Sequence, residues 1–443
     1  MSKNIVVTGM GAITPIGNSV EEYWKNVTAG VCGVQTITRF DTSELPVKIA
    51  AEIKDFEPTD YMPKKLTREM DPFMQYGYAA ALEALSQAGE VLADDSALGA
   101  SDASSDSGEA AGSSEKRIAE PTRMGIVIGT ALGGITPISE TQDGISKCEH
   151  KKVSPRFVPK IIGNEVAAQL AIARGYLGPS LTVSTACSSG GDAIATGCML
   201  LMSGQADAVL VVGAESALCP LFIRGLVSAH ALSTNNDDPQ GASRPFDKDR
   251  DGFVIGEGGG ALVLETAENA AKRGATALAN IAGFANCTDG YHVTSPHPEG
   301  IGAIFCMEQA IKNADIKPED IGYINTHGTS TPVGDPIETN AIAKVFGGDD
   351  PASSETLKKM AVTSTKGATG HMMGAGGITE VITCIQAIRT GVVPPTLNLD
   401  NLDEACFELN YVPKQSQKID TDYAMSNSFG FGGQNSSVIV GRV

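Results

Sequence analysis

The sequence predicts an α/β protein built from two copies of one unit. Short runs rich in β-branched residues alternate with alanine-rich stretches of helical length, a pattern typical of buried sheets covered by helices. Four short runs also recur in the same order in the two parts of the chain. These observations predict a duplicated βαβ unit, with a first half at residues 1–275 and a second half at residues 276–443.

Apolar β-branched runs locate the predicted strands at residues 4–8, 125–129, 208–213, 260–265 and 437–441. The recurring pairs are NIVVTGMG at 4 with NIAGFANC at 280, GIVIGT at 125 with GYINTHGT at 322, STACSSGG at 184 with STKGATGH at 364, and GALVLE at 260 with SSVIVG at 436. The spacing between partners shortens along the chain, so the first half carries the extra residues.

The clearest insertion lies at residues 98–122, which are dense in serine, alanine, glycine and acidic residues. Ile118 is the single β-branched apolar residue in this segment. Such a composition buries too little apolar surface to offset the entropy lost on ordering. We therefore expect a mobile surface loop here.

Charge and cysteine usage narrow the class of protein. The 33 basic residues against 52 acidic ones give a net charge of −19, which argues against a nucleic-acid or anionic membrane partner. No apolar stretch approaches the roughly 18 residues that span a bilayer. The nine cysteines are scattered without a CxxC pair, and the N-terminus lacks a signal-peptide pattern. We expect a cytoplasmic protein with reduced thiols.

Cys187 stands out by its setting. Residues 181–187 are predicted to form a buried strand, and a helix begins directly after the cysteine. Amides at a helix N-terminus favour a thiolate, lowering the pKa of a cysteine beside them, and they can also stabilise an oxyanion. A free cysteine is more often a small buried apolar residue. Cys187 alone therefore leaves a catalytic and a structural interpretation open.

Two of the six histidines occupy similar settings. His327 follows a predicted strand in NTHGTST, and His371 follows STKGATG, the run that corresponds to the cysteine turn of the first half. The remaining histidines lack this glycine-rich setting, and we expect surface or packing roles for them: His150, His230, His292 and His297. His327 and His371 are therefore the candidate partners of Cys187.

Six motifs in order give the sequence its family resemblance. They are VTGMGAITPIGN near the start, STACSSG at 184, SRPFDKDRDGFVIGEGGG at 243, NTHGTSTPVGDPIE at 325, STKGATGHMMGAGG at 364 and NSFGFGGQN at 427. The chain resembles the β-ketoacyl-acyl carrier protein synthases of the thiolase superfamily, of the long-chain synthase II type. The resemblance implies a five-layer αβαβα fold, a homodimer, and extension of acyl chains by two carbons from malonyl-acyl carrier protein.

The resemblance also implies roles for the three candidate residues. Cys187 would accept the acyl group, and His327 and His371 would complete a Cys-His-His triad. Decarboxylation of a malonyl thioester develops negative charge on the carbonyl oxygen, which two imidazole N–H groups would stabilise. The backbone amides of Cys187 and Phe431 would hold the second oxyanion, which forms when the carbanion attacks the acyl-cysteine.

Five further residues match supporting positions of the family. Lys366 and Glu380 would hold the site in register, with Lys366 either biasing the protonation of His371 or serving only as half of a structural ion pair. Thr329 and Thr331 would bind the pantetheine arm, although threonine also satisfies turns. Phe431, between glycines, would act as a gate to the acyl pocket.

A local basic spot is needed for docking, because an acidic carrier protein is repelled by a chain of net charge −19. Lys64, Lys65 and Arg68 lie on about one helical turn and form the best candidate. An ordinary solvated helix face is the alternative interpretation.

Two other motifs are rejected as ligand sites. Residues 129–134 follow a strand but do not match a dinucleotide or P-loop pattern. Residues 247–252 resemble a calcium loop but lack its bidentate glutamate, so charge pairs around a turn are the better interpretation. We expect neither a metal nor a cofactor, since loss of the malonyl carboxylate drives the reaction.

Three rival functions remain to be weighed. Ser188-Ser189-Gly190 departs from the more common Ala-Thr-Gly of synthase II and is similar to polyketide ketosynthases, which makes a polyketide or specialised-lipid ketosynthase the main alternative. A non-catalytic partner subunit is disfavoured because such subunits commonly lose the nucleophile. A cysteine hydrolase lacks an Asn or Asp orienting residue in a protease pattern.

Overall fold

The computed structural model describes residues 4–91, 117–148, 153–348 and 350–443. Most of the predicted insertion, residues 98–116, lies outside the described residues. Its last residues are described, and there Ile118 is only 2% exposed and packs into the hydrophobic core of the first half. The expected surface loop therefore does not extend to Ile118.

Ten strands of the described residues form the main sheet, and four short ones form two separate pairs. The main strands are β1 Ile5–Ile13, β4 Met124–Gly129, β5 Ser180–Val183, β6 Ala208–Glu215, β7 Gly258–Thr266, β8 Ala279–Thr288, β9 Ile321–Asn325, β10 Ala361–Thr363, β13 Tyr423–Gly430 and β14 Gln434–Gly441. The short pairs are β2 Gln35–Thr36 with β3 Ile49–Ala50, and β11 Val392–Val393 with β12 Gln417–Lys418.

The strand order shows the duplication directly. From one edge the order is β5, β4, β6, β7, β1, and then β8, β14, β13, β9, β10. The halves meet through a short antiparallel pairing of β1 with β8, at Val6 opposite Asn280 and Val7 opposite Ala279. The strands of each half can be numbered outward from this junction. The two members of every recurring pair then overlap, or directly follow, strands of the same number. The predicted duplicated α/β fold is confirmed, while a boundary at residue 275 stays a prediction.

Fifteen α-helices connect and cover the strands in the described residues. They are α1 Val20–Thr28, α2 Lys64–Thr67, α3 Pro72–Gln87, α4 Ile135–Ser146, α5 Phe157–Ile161, α6 Glu165–Arg174, α7 Ser189–Met202, α8 Pro220–Ser228, α9 Pro239–Ala242, α10 Ala267–Lys272, α11 Ile301–Ala314, α12 Gly334–Gly347, α13 Glu355–Lys359, α14 Lys366–Thr369 and α15 Gly376–Thr390.

The five strands from β5 to β1 form one half-sheet, and the five from β8 to β10 form the other. Together with the helices, these two half-sheets form five layers, αβαβα. Helix α3 covers β1, β6 and β7 on one outer face, where Phe73 is fully buried. Helices α7 and α15 lie between the half-sheets, and Ile194 and Ile385 share one core there. Helix α11 covers β8 and β14 on the other outer face, where Met307 is fully buried.

Glycine at position 190 allows close packing within the middle layer of helices. A Cβ atom on Gly190, in α7, would lie 2.9 Å from the carbonyl oxygen of Gly374 and 3.2 Å from the Cα atom of Gly377. Any side chain here would push α7 away from the segment that leads into α15. This close approach brings the start of α7, next to Cys187, against the chain that follows His371.

The strand before Cys187 differs from its prediction. Strand β5 covers only Ser180–Val183, and most of its residues are exposed. Among the described residues it pairs only with β4, so it forms an edge of the sheet rather than a buried strand. The sequence carried no signal of this position, because the apolar run at residues 181–183 has the composition of a buried strand. No helix among the described residues combines the length and the apolarity needed to cross a bilayer.

Candidate active site

Cys187 lies in a tight turn between β5 and α7. The turn is a single 3-10 segment, Ala186–Ser188, and it begins with Ala186 in a left-handed conformation at φ 51°. Such a conformation costs an L-residue energy, so the surrounding bonds must hold it. The hydroxyl of Ser189 accepts the N–H of Thr185 at 2.9 Å across the turn. Cys187 is half-buried and opens on a cavity of about 590 Å³.

Both candidate histidines lie after neighbouring parallel strands of the second half-sheet. His327 follows β9, and His371 follows α14, which begins just after the neighbouring parallel strand β10. Glu338 of α12 accepts the backbone N–H groups of His327 and Gly328, each at 2.8 Å. His371 donates its own N–H to the carbonyl of Val254 at 2.7 Å. The backbone that carries each imidazole is thus held in place.

The structure brings Cys187, His327 and His371 together. The cysteine sulfur and one nitrogen of each ring all lie within 4.8 Å of one another. The ring centroids are 5.2 Å apart and the rings are nearly perpendicular, at 87°. Neither ring nitrogen of His371, nor Nδ1 of His327, has a hydrogen-bond partner among the described residues. These nitrogens therefore keep their full hydrogen-bonding capacity.

A thiol and two imidazoles are also donors that Zn²⁺ accepts in proteins. Among the described residues, these are the one group of three such side chains whose donor atoms converge. A metal ion bound there would occupy the nucleophile itself. The expectation that no metal takes part stays a prediction.

Burial controls the protonation of the triad. It holds the pKa values of His327 and His371 well below the usual 6.5, and the positive charge of Lys366 lowers both further. Both imidazoles are therefore neutral at pH 7, and each carries one N–H donor and one free lone pair.

The thiol itself differs from its prediction. Burial raises the pKa of Cys187 to about 11, and Lys366 and the N–H groups of Phe431 and Cys187 offset only part of this rise. We expected a lowered pKa from the helix N-terminus; desolvation outweighs that effect here. Cys187 is consequently a neutral thiol at rest.

Lys366 and Glu380 form a buried ion pair beside the histidines. Their side chains are 3% and 4% exposed, respectively, and the Lys366 ammonium group donates to Glu380 Oε1. Burial raises the pKa of Glu380, and the charge of Lys366 opposes that rise. The pair places one fixed positive charge close to three catalytic candidates.

Phe431 lies in the cavity wall next to Cys187. Its backbone N–H, like that of Cys187, is directed at the Cys187 sulfur. A Cβ atom on Gly430 would lie 3.0 Å from the backbone nitrogen of Cys187, so only glycine permits this approach. The Phe431 side chain is 40% exposed and lines the cavity.

Thr329 and Thr331 line the same cavity, with their hydroxyl oxygens 3.1 Å apart. Thr331 also accepts the N–H of Gly334, which is ordinary turn chemistry, at 3.2 Å. Arg250, from the rejected calcium motif, is buried, pairs with Asp403 at 2.6 Å and donates to the carbonyl of Thr331 at 2.9 Å. The predicted charge pairs therefore support this wall.

Three predicted residues lie away from the cluster. Lys64 and Lys65 are exposed on α2, and Arg68 is exposed directly after it. They do not line the cavity. Their position on the surface is compatible with docking of a partner and with a solvated helix face.

Other residues of the site were not recognised from the sequence. Glu338, Glu215 and Phe253 are all buried around it, and His230, expected at the surface or in packing, is exposed and lines the cavity. Glu215 accepts the N–H of Ala131 at 2.6 Å. Glu338 and Phe253 had an available signal, because each lies in one of the motifs that carry the family resemblance.

Comparison with known proteins identifies the family of the chain. The family model described as "Beta-ketoacyl synthase, N-terminal domain" matches residues 2–270, and "Beta-ketoacyl synthase, C-terminal domain" matches residues 278–400. The chain belongs to the beta-ketoacyl synthase family. The predicted resemblance is confirmed.

Curated members of the family match along the whole chain. The 3-oxoacyl-[acyl-carrier-protein] synthase 2 of Vibrio harveyi is 40% identical and covers 100% of both chains. That of Coxiella burnetii is 41% identical over 100% of this chain and 99% of its own. The chloroplastic synthase II of Arabidopsis thaliana is 39% identical over 99% of this chain and 75% of its own.

Solved structures of the family share the fold. A beta-ketoacyl synthase from Burkholderia phymatum superposes with a TM-score of 0.85, at 32% identity and with full coverage of both chains. A ketosynthase described in complex with its type II PKS acyl-carrier protein and bound to a hexaketide gives a TM-score of 0.83, at 27% identity and full coverage of both.

Proposed function

We propose that this beta-ketoacyl synthase extends a fatty acyl chain by two carbons, through a decarboxylating Claisen condensation with malonyl-acyl carrier protein. The observation that carries the proposal is the convergence of one thiol and two neutral imidazoles within 4.8 Å in one cavity. The names of the curated relatives, all 3-oxoacyl-[acyl-carrier-protein] synthases, support the same substrate class.

The first step transfers the acyl group. The sulfur of Cys187 attacks the carbonyl carbon of an acyl-carrier thioester, and a neutral imidazole of the pair takes the thiol proton. The backbone N–H groups of Cys187 and Phe431 stabilise the oxyanion. When the tetrahedral intermediate collapses, the carrier thiol leaves with a proton, and the acyl group stays on Cys187.

The second step forms the new carbon–carbon bond. The malonyl thioester oxygen accepts N–H groups from His327 and His371, so the electrons left by departing CO₂ are stabilised as an enolate. The enolate carbon attacks the acyl-Cys187 carbonyl, and the cysteine sulfur leaves. Lys366 favours this step indirectly, because its charge helps to keep both imidazoles neutral.

Mass spectrometry separates the two steps. Incubation with an acyl-carrier thioester should add one acyl mass to Cys187, and the Cys187→Ala variant should show none. His327→Ala should lose malonyl decarboxylation while it keeps some acylation of Cys187. An unmodified Cys187 in a folded protein would overturn the proposal in favour of a non-catalytic subunit.

A polyketide ketosynthase is the second candidate. The Ser188-Ser189 pair and the likeness to a hexaketide-bound ketosynthase favour it. Full-length identity of about 40% to curated synthase 2 relatives favours fatty acyl chains. Condensation rates across a series of saturated acyl chain lengths, against a polyketide starter, decide between the two.

A second copy of the chain and a carrier protein are the proposed partners. Strand β5 leaves one edge without a strand partner among the described residues, and its Leu181 is 46% exposed. Leu177, four residues before Leu181, is 73% exposed, and Met202, at the end of the contacting helix α7, is 48% exposed. Pairing of two β5 edges in a homodimer would cover them. Light scattering should give twice the monomer mass, and Leu181→Lys should lower it.

We also assign carrier docking to Lys64, Lys65 and Arg68, which are exposed and adjacent on a chain of net charge −19. The cytoplasm is the proposed location, in keeping with nine free cysteines.

A further inference from the structure

Two thiols face each other between β8 and α11, outside the triad. Cys287 donates to the carbonyl of Gly302 at 3.1 Å, and Cys306 donates to the carbonyl of Ala285 at 3.4 Å. Gly302 precedes Cys306 by one helical turn, and Ala285 lies two residues before Cys287 on the same face of its strand. The two sulfurs therefore share one gap, and they lie within hydrogen-bonding reach of each other.

The two cysteines differ in exposure and acidity. Cys287 is half-buried next to Asn435, a residue of the cavity wall, whereas Cys306 is buried. The contact with Cys306 lowers the pKa of Cys287, and the contact and burial both raise the pKa of Cys306. A half-buried cysteine of lowered pKa beside a buried thiol is the arrangement that favours oxidation to a disulfide.

We propose that Cys287 and Cys306 form a peroxide-oxidised disulfide site. The Cys287 thiolate attacks hydrogen peroxide, the O–O bond breaks, and Cys287 becomes a sulfenic acid while hydroxide leaves and is protonated to water. The Cys306 thiol then attacks the Cys287 sulfur, the S–S bond forms, and the S–O bond breaks. The thiol proton leaves with the departing hydroxide as a second water, so two electrons pass from the sulfurs to the peroxide.

The disulfide would act on the wall of the acyl cavity. Residues 288–305, between the two cysteines, contribute Asp289, Thr294 and Gly300 to that wall. Asp289 also joins this segment to the loop after Phe431, because its N–H donates to the carbonyl of Gly433 at 2.9 Å. A bond between Cys287 and Cys306 closes a covalent ring around the segment and restricts its motion.

Peptide mapping tests the site without relying on condensing activity. The wild-type protein is treated with hydrogen peroxide, alkylated and digested without reductant. We expect a linked Cys287–Cys306 peptide that dithiothreitol abolishes, and slower amide exchange across residues 288–305. Cys306→Ser should trap a dimedone-reactive sulfenic acid on Cys287, whereas Cys287→Ser should leave Cys306 unmodified.

Exposed Cys148 is the internal control for peroxide. If wild-type Cys148 is oxidised while Cys287 and Cys306 are alkylated as fully as in untreated protein, the disulfide site is excluded. Unchanged amide exchange in a protein that carries the disulfide would overturn the restriction of the cavity wall.

Discussion

The carboxylate of Glu338 accepts the backbone N–H of His327 at 2.8 Å. Its other oxygen accepts the N–H of Gly328, also at 2.8 Å, so one buried side chain on α12 fixes the turn that carries the imidazole. The imidazole ring itself takes no part in these bonds and remains available for its proposed contact with substrate. Glu338 is therefore a positioning residue, separate from the proposed triad.

Replacing Glu338 should misplace His327. Glu338→Gln keeps one acceptor oxygen but turns an amide N–H₂ towards a backbone N–H, and the lost bond should cost about 1–3 kcal/mol of stability. We expect malonyl decarboxylation to slow about tenfold, the effect of a shift of roughly 1.4 kcal/mol in the barrier. Acylation of Cys187, monitored by mass spectrometry, should slow less than decarboxylation does.

Lys344→Gln, on an exposed position of the same helix, is the matched control. Equal losses of acylation and decarboxylation in Glu338→Gln would point to general damage of the fold instead of a displaced histidine.

Glu215 should make the fold less stable as the pH rises. Burial raises its pKa from 4.5 to about 7, although the N–H groups of Ala131, Gly374 and Leu132 oppose the rise. The folded state thus binds the proton more tightly than the unfolded chain. This contribution favours the fold below pH 4.5 and is lost between about pH 4.5 and 7, by at most roughly 1.4 kcal/mol per pH unit.

Urea unfolding of wild type and Glu215→Gln at pH 5 and pH 8 measures this effect. The variant should lose less stability than wild type over that interval, because its amide does not titrate. Glu308→Gln, exposed on α11, should follow wild type. Parallel pH profiles for wild type and Glu215→Gln would contradict the raised pKa.

The sequence predicted the layout of the site better than its electrostatics. The recurring runs located equivalent strands because strand composition is local, and Cys187 and His371 follow corresponding strands, β5 and β10. The pKa of Cys187 was predicted in the wrong direction, because desolvation depends on everything that packs around the sulfur. The motif that contains His327 also contains Glu338, but the amides that Glu338 accepts were not predictable, since they depend on how helix α12 packs against the turn after β9.

Breaking the Lys366–Glu380 pair should destabilise the fold strongly. Lys366→Met or Glu380→Leu alone leaves a buried charge without its partner, which typically costs about 3–5 kcal/mol. The double variant should recover much of that loss, because neither charge remains. The exposed Lys147–Asp143 pair, whose side chains are 58% and 61% exposed, is the control, and its loss should change stability little.

The double variant also isolates the electrostatic effect of Lys366. Without its positive charge, the pKa values of His327 and His371 should rise, which NMR titration of the imidazoles measures. A stable double variant with unchanged histidine titration would limit the pair to a structural role.

Reversing charges on the proposed docking surface should weaken use of the carrier protein. Lys64→Glu with Arg68→Glu removes the attraction to an acidic carrier and adds repulsion, so KM for acyl-carrier substrate should rise and kcat should change little. The effect should shrink as salt rises, because screening limits such forces to about 8 Å at physiological ionic strength. A small acyl thioester without carrier protein should react equally well with the variant and with the wild-type enzyme.

Lys358→Glu with Lys359→Glu provides a matched control. Both lysines are exposed at the end of α13, and neither belongs to the proposed docking surface, while the change in net charge is the same. If both double reversals raise KM alike, long-range repulsion accounts for the effect. A rise confined to Lys64 and Arg68 requires direct contact with the carrier, because the two proteins then differ only in where the charge was reversed.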